Sequence, residues 1–508
     1  MTTSISNAPP GEPAEAPRAR KEADRKPRPV EPVRTVASRF VVVTLCLALV
    51  LSALAYGTVH YWALAVFELG AAALVVLWAV DAWRSRTLRV SRSLLQLPLV
   101  GLFLLGLFQL LPLGGGSGGA GDAISGTAAG SLSIDPYSTR LALVQVAALL
   151  VYFAAALAYI DSPKRLRLVV RVVTIFGFAL AFFGLIQYFS SPNKIYWLKE
   201  LPQSTPFGPF YNRHHFAGYM ELTMALPLGL LFSGAIERDK RPLYIFAVAF
   251  MGIALVVTNS RGGLVAMAAE IVFLLMLAGF RRGDEEVAEG GRAKGRLKAL
   301  VVRAGLAFVM VLALVGGALF FGGEAALSRL VGTVNSEDPT TGRAHFWNVT
   351  LNIIKDHPLV GTGLGSFGLA YTRYDTRNGL YRLEQAHNDY LQLASDAGAV
   401  GVALGLFFVV ALFRTGLARR ETEDLFRRGV ATGALVGCFA VLVHSFFDFT
   451  LHTTSNALLF LVLAALATIN GRVEEGGQQR RRRRRHRSVR QPGIPGVTES
   501  GALPPPVR

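Results

Sequence analysis

Twelve apolar runs, each about 20 residues long and joined by polar connections, limit what this chain can become. They lie at 40–58, 62–80, 94–113, 140–160, 168–189, 216–233, 243–259, 262–280, 304–322, 397–413, 429–447 and 455–469. A helix of that length spans the hydrocarbon of a bilayer, and there each backbone N–H and C=O has to be satisfied within its own segment or a closed barrel. Composition agrees: 52% of the 508 residues are hydrophobic, only 17% are charged, and mean hydropathy is +0.41, too apolar for an ordinary soluble globule. The expected fold is therefore an all-α polytopic membrane protein of about 12 transmembrane helices. One large external loop, 322–396, falls between spans nine and ten.

The formal charge of +18 does not describe a nucleic-acid groove, because the basic residues occupy short loops and one tail. Alternate loops carry Arg84, Arg86, Arg89 and Arg92, then Lys164, Arg165 and Arg167, then Arg238, Lys240 and Arg241. The same phase continues with Arg281, Arg282, Arg292, Lys294 and Arg296, and with Arg414, Arg419, Arg420, Arg427 and Arg428, whereas loops 57–61 and 114–138 carry no basic residue. This positive-inside asymmetry places both termini in the cytoplasm and 322–396 on the opposite face. Residues 1–39, rich in Pro, Arg, Glu and Ala, are expected to form a disordered cytoplasmic arm with no cleavable leader, ahead of a membrane domain at 40–469. Residues 470–508, with the Arg480–Arg485 run, are expected to form a basic tail that meets anionic lipid or is simply solvated. Cys46 and Cys438 both fall in apolar runs and read as inert thiols.

The longest polar interruption, 342–401, concentrates reactive side chains. Arg343 and Trp347 stand one helical turn apart. Gly361, Gly363 and Gly365 follow; without a P-loop lysine they read as a tight turn, not a nucleotide cradle. His387-Asn388-Asp389-Tyr390 then opens the next apolar run, and imidazole titrates near neutral pH, which suits a general base. Asp389 points elsewhere on a helix, so it need not orient His387. On the same membrane face lie Arg261, in Asn259-Ser260-Arg261-Gly262-Gly263, and the aromatic and cationic cluster Phe210-Tyr211-Asn212-Arg213-His214-His215-Phe216. Converging guanidiniums make a bidentate clamp for phosphate or diphosphate. The alternatives are a snorkelling Arg261 and an interfacial aromatic belt. Glu221 and Glu270 are intramembrane acids, either ion-pair partners or site residues. His444, Asp448 and His452 recur every four residues, a spacing that on one helix face would suit hydrogen bonding between helices, support of the site, or metal ligation.

These pieces together resemble the O-antigen ligase and polymerase superfamily of integral membrane glycosyltransferases. Arg343 with Trp347, Pro358-Leu359-Val360-Gly361-Thr362-Gly363-Leu364-Gly365, His387-Asn388-Asp389-Tyr390-Leu391-Gln392 and Ser260-Arg261-Gly262 carry the resemblance. It implies a bacterial inner-membrane enzyme of lipopolysaccharide or exopolysaccharide biosynthesis, with its active site periplasmic. The implied donor is a glycan on polyprenyl diphosphate, undecaprenyl in bacteria, transferred to a glycan or lipid-linked acceptor without nucleotide sugar, metal or other cofactor. Arg261 and Arg343 resemble the family's essential arginines and His387 its essential histidine. Arg213, His214, His215, Trp347, Asn388 and Tyr390 are expected to bind substrate, and His444 and Asp448 to support the site. His215 departs from the family's pattern, which has Asn there. Repeat-unit polymerisation is slightly favoured over ligation to lipid A-core. Other polysaccharide-assembly proteins are candidate partners, nucleic acid is not, and a transporter or flippase of lipid-linked sugars is the alternative.

Overall fold

A computed structural model describes residues 35–113, 130–201, 204–279, 343–377 and 383–469. Among them the regular elements are helices and one two-stranded hairpin, β1 (Lys194–Ile195) and β2 (Lys199–Glu200). In chain order the helices are α1 (Val36–Leu54), α2 (Tyr61–Ser85), α3 (Gln96–Gln109), α4 (Pro136–Tyr159), α5 (Pro163–Ser190), α6 (Arg213–Ser233) and α7 (Arg241–Val257). They continue as α8 (Arg261–Gly279), α9 (Arg343–Asp356), α10 (Phe367–Tyr374), α11 (Asp389–Arg419), α12 (Leu425–His444) and α13 (Thr454–Thr468). Seven of them, α1, α2, α4, α5, α6, α11 and α12, are long and apolar enough to cross a membrane, and the apolar α3, α7 and α13 are shorter. The protein is thus a multi-pass all-α membrane protein.

The expected span at 304–322, the first part of the external loop, the basic cluster at 281–296 and the tail 470–508 lie outside the described residues. At the amino-terminal side, α1 begins within the segment expected to be unstructured. Thr35 caps it by accepting from Ser38 N at 3.0 Å, and its hydroxyl also donates to Asp81 of α2.

Helix α6 is the axis of the bundle. Every residue from His215 to Leu230 is buried, and a helix apolar all round belongs in the interior. Its most extensive partner is α12, and a glycine stripe explains why. Gly429, Gly433 and Gly437 recur every four residues on α12. A Cβ on Gly433 would lie 2.4 Å from the Ala225 carbonyl oxygen, and one on Gly229 of α6 would lie 2.3 Å from the Gly429 oxygen. Backbone meets backbone there, and such close approach is how small residues hold membrane helices together without a hydrophobic driving force.

At one end of the bundle the basic loop residues do more than set topology. Arg89, buried, pairs with Asp81 at 3.1 Å and Asp161 at 2.7 Å. Arg165 pairs with Asp161 at 3.1 Å and donates to the Ser38 carbonyl oxygen at 2.9 Å, tying α1, α2, α4 and α5 together. Buried charge of this kind persists only when paired.

At the other end, the glycine turn after α9 docks onto α3 and α11. Buried Gln109 donates to the carbonyl oxygens of Val360 (2.6 Å) and Asp396 (2.8 Å) and accepts from Leu364 N (3.0 Å). Gly363 has φ +117°, and a Cβ there would sit 2.2 Å from Ser133 Oγ. Only glycine fits both conditions. Helix α11 is itself interrupted at Gly398 (φ 60°, ψ −160°), where the incoming turn lies against it.

The α6–α12 contact leads to a direct expectation. Gly433→Val places branched carbon inside the Ala225 backbone and should cost at least about 2–4 kcal/mol. It would be read as a lowered unfolding midpoint in detergent, with Gly234→Ala, where nothing lies within 4 Å but φ is +75°, as the milder comparison.

Candidate functional site

Helix α12 ends at His444, and the chain turns tightly through Ser445–Phe449 before a short 3-10 turn at Thr450–His452. That break, expected near here, takes His444, Asp448 and His452 off any single helical face. The three side chains take separate partners instead. His444 Nδ1 meets Glu221 of α6 at 2.8 Å, fully buried; His452 Nδ1 meets Asp389 at 2.6 Å; Asp448 turns into the bundle end. They form no shared ligand set.

Asp448, 1% exposed, is the hub. Its Oδ2 receives Arg343 Nη2 at 3.4 Å and lies 3.9 Å from His214 Nδ1. Its Oδ1 is 3.3 Å from His387 Nδ1 and accepts from Phe449 N at 2.9 Å. Burial by itself would raise this carboxyl. The His387 hydrogen bond outweighs it and holds Asp448 below the usual carboxylate range. An ionised carboxylate therefore gathers residues 214, 343 and 387 from three distant helices.

Each contributor is fixed locally. His387 precedes α11 in a left-handed conformation (φ 52°). Its backbone is held on both sides: Ala386 N donates to Gln392 Oε1 at 2.7 Å, and Asp389 N donates to the Ser445 carbonyl oxygen at 2.9 Å. The imidazole stacks near Phe346 (6.1 Å) and meets Phe449 edge-on (4.9 Å), with 26% of the side chain exposed. A strained backbone retained under such bracing is typical of working sites. Asn388 is the N-cap, accepting from Tyr390 N and Leu391 N while donating to the Phe446 carbonyl oxygen at 3.1 Å. Tyr390 donates to the Leu442 carbonyl oxygen at 2.6 Å. Both side chains expected to touch substrate thus brace α11 against the turn after α12. Asp389 is engaged with Ser445 and His452 and does not orient His387.

His214 Nδ1 also lies 2.7 Å from Ser260 Oγ, which caps α8 by accepting from Gly263 N. This joins the start of α6, with Arg213, to the start of α8, where Arg261 is exposed. Gly262 packs against the His444 ring, so the arginine-bearing turn sits directly beside the Asp448 segment. Trp347 lies one turn beyond Arg343, its indole N–H buried without a hydrogen-bond partner among the described residues. His215 is buried edge-on against Phe449 at 4.6 Å, and its carbonyl accepts from Asn456. The starts of α6, α8, α9 and α11 all face this cluster, and helix N-termini carry partial positive charge that favours an anion. Inside the bundle, Glu270 of α8 is fully buried with neither carboxyl oxygen partnered among the described residues.

Residues 246–406 match the family model described as O-antigen ligase. Over these residues the chain is similar to the O-antigen ligase family, as the motifs above suggest. No curated protein matches it. The matched segment runs from α7 into α11 and includes Arg261, Arg343 and His387, whereas His214 and Asp448 lie outside it. Sequence reasoning placed Asp448 among helper residues; its pairing with His387 spans 61 positions and had no local signal.

An ionised Asp448 has a measurable signature. Its native carboxyl lies below the unfolded value of about 3.9, so its contribution is full above that pH and is lost as pH falls. Wild type should exceed Asp448→Asn by about 1–3 kcal/mol in unfolding free energy from pH 8 to 5, with the gap narrowing below about pH 4. A gap unchanged at pH 3 contradicts the assignment.

Proposed function

We propose that the protein is a membrane glycosyltransferase that moves a glycan from polyprenyl diphosphate to an acceptor sugar hydroxyl at the periplasmic face of a bacterial inner membrane. The observation that carries this reading is the convergence of Arg343, His387 and His214 on buried Asp448, beside the helix starts that bear Arg213 and Arg261. A diphosphate needs cations and oriented N–H groups, and an attacking hydroxyl needs a base; both stand together here.

In the proposed reaction, Asp448 orients His387 through Nδ1, leaving the opposite ring nitrogen for the acceptor. The acceptor oxygen attacks the anomeric carbon and gives its proton to His387. The bond from that carbon to the phosphate oxygen breaks, and polyprenyl diphosphate departs as an anion stabilised by Arg261 and Arg343. A single displacement inverts the anomeric centre. The reading takes both termini as cytoplasmic and 322–396 as the periplasmic catalytic loop, and we favour repeat-unit polymerisation over ligation. The transport reading draws on the interruption of α11 at Gly398 and on buried Glu221 and Glu270, features that a flippase also uses.

His387→Ala, Arg343→Ala and Arg261→Ala, each inserted at wild-type level, should lower glycan transfer by about 10²–10⁴-fold while donor still reaches the periplasm. Retained transfer overturns the enzymatic reading, and blocked donor delivery favours the flippase. In a deletion strain, single repeats on the carrier indicate a polymerase and long chains on the carrier a ligase.

A further inference from the structure

The bundle end that carries Asp448 also holds an aromatic cluster with no part in the chemistry above. Tyr56 lies in the turn between α1 and α2. Its ring is met edge-on by His60 (5.4 Å), Trp62 (6.1 Å) and Tyr196 (5.6 Å), and at a tilt by Tyr211 (5.6 Å). The polar tips of the cluster meet one another: His60 Nε2 is 2.7 Å from the Tyr211 hydroxyl, and the Lys199 ammonium also bonds that hydroxyl. Lys199 stands 4.9 Å from the Tyr211 ring centre and 6.0 Å from that of Tyr56, within cation–π range.

Two loops are held in costly backbone shapes to build this. Tyr56, Thr58, Tyr196 and Trp197 all have φ between 55° and 60°, the left-handed region that non-glycine residues avoid. The strain is held by bonds behind the rings. Thr58 offers its carbonyl oxygen to Thr454 Oγ1 (3.1 Å), Tyr196 N donates to Gln187 Oε1 (3.0 Å), and the Trp197 indole donates to Ser190 Oγ (2.7 Å). Trp62 remains 55% exposed and Trp197 44% exposed.

We propose that this cluster is a pyranose-binding subsite that grips the glycan beyond its reacting end, a proposal that rests on the glycan-transfer reading above. A sugar ring presents C–H groups on its faces and hydroxyls around its rim. The C–H faces suit the negative π-face of Tyr and Trp, and the rim suits the ammonium, imidazole and phenol tips gathered here. Tyr and Trp also give large contact at low conformational cost. Tyr211 is two residues before Arg213 and three before His214, so a glycan lying on the cluster continues into the diphosphate end of the site. A membrane-interface belt arranges its rings side by side along the bilayer plane. These rings interlock around Tyr56 instead, with their polar tips joined.

The test uses purified protein in nanodiscs and the lipid-free oligosaccharide released by mild acid from the producing strain's carrier-linked glycan. Saturation-transfer NMR should show wild type and His387→Ala binding it equally, and Trp62→Ala and Lys199→Ala binding at least about 5-fold more weakly. With carrier-linked donor, those two variants should raise KM and leave kcat near wild type. Undiminished oligosaccharide binding in both variants overturns the subsite, as does a loss confined to vesicle association, which assigns the cluster to the bilayer. Wild type that binds the oligosaccharide but moves no glycan from the carrier-linked donor to an acceptor sinks the transfer reading and leaves the subsite standing.

Discussion

A carboxylate taken almost wholly out of water has to meet cations or hydrogen-bond donors or give up its charge. Asp448 meets them. Arg343 opens α9, His387 precedes α11 and His214 sits in the first turn of α6, so one buried charge specifies how three helix ends meet. The partners in turn need Asp448, since three cationic or protonatable groups converge on it. The catalytic proposal uses the same interaction: an imidazole bonded through Nδ1 to a carboxylate is oriented, and its imidazolium form is stabilised.

That interaction depends on packing remote from it. The Gly429, Gly433 and Gly437 stripe lets α12 lie on α6 backbone to backbone, which fixes the end of α12 and the Asp448 turn relative to His214. The Glu221–His444 pair clasps the same two helices just beneath the site. Gln109 pins the glycine turn and Asp396 of α11, so the polar stretch closes over the bundle end as a docked cap.

Much of this was legible in the sequence because membrane helices are written in long apolar runs: eleven of the twelve expected runs overlap described helices, and the twelfth lies outside the described residues. Arg343 and Trp347 do share a helix, and the glycines do form a tight turn. The site was legible only where its residues are adjacent in sequence. The His387–Asp448 and Arg343–Asp448 contacts join positions 61 and 105 apart, for which periodicity has no signal. His444 and His452, read as hydrogen-bonding between helices near a helix break, do so, with Glu221 and Asp389, although nothing in their spacing names those partners. Asn388 and Tyr390, read as polar groups beside a candidate base, also cap α11 and tie it to α12, contacts that the sequence does not announce. Asp81 and Asp161 went unnoticed for a related reason: a buried ion pair across loops looks, in sequence, like scattered loop charge.

The central claim is that Asp448 acts through His387. A double-mutant cycle on glycan transfer with Asp448→Asn, His387→Gln and the combined variant tests it most directly. The account predicts that Asp448→Asn slows the His387→Gln variant far less than it slows wild type, because the carboxylate acts mainly through the imidazole and the remainder is its hold on Arg343. Losses that multiply, with the double variant slower by the product of the two single effects, would contradict it.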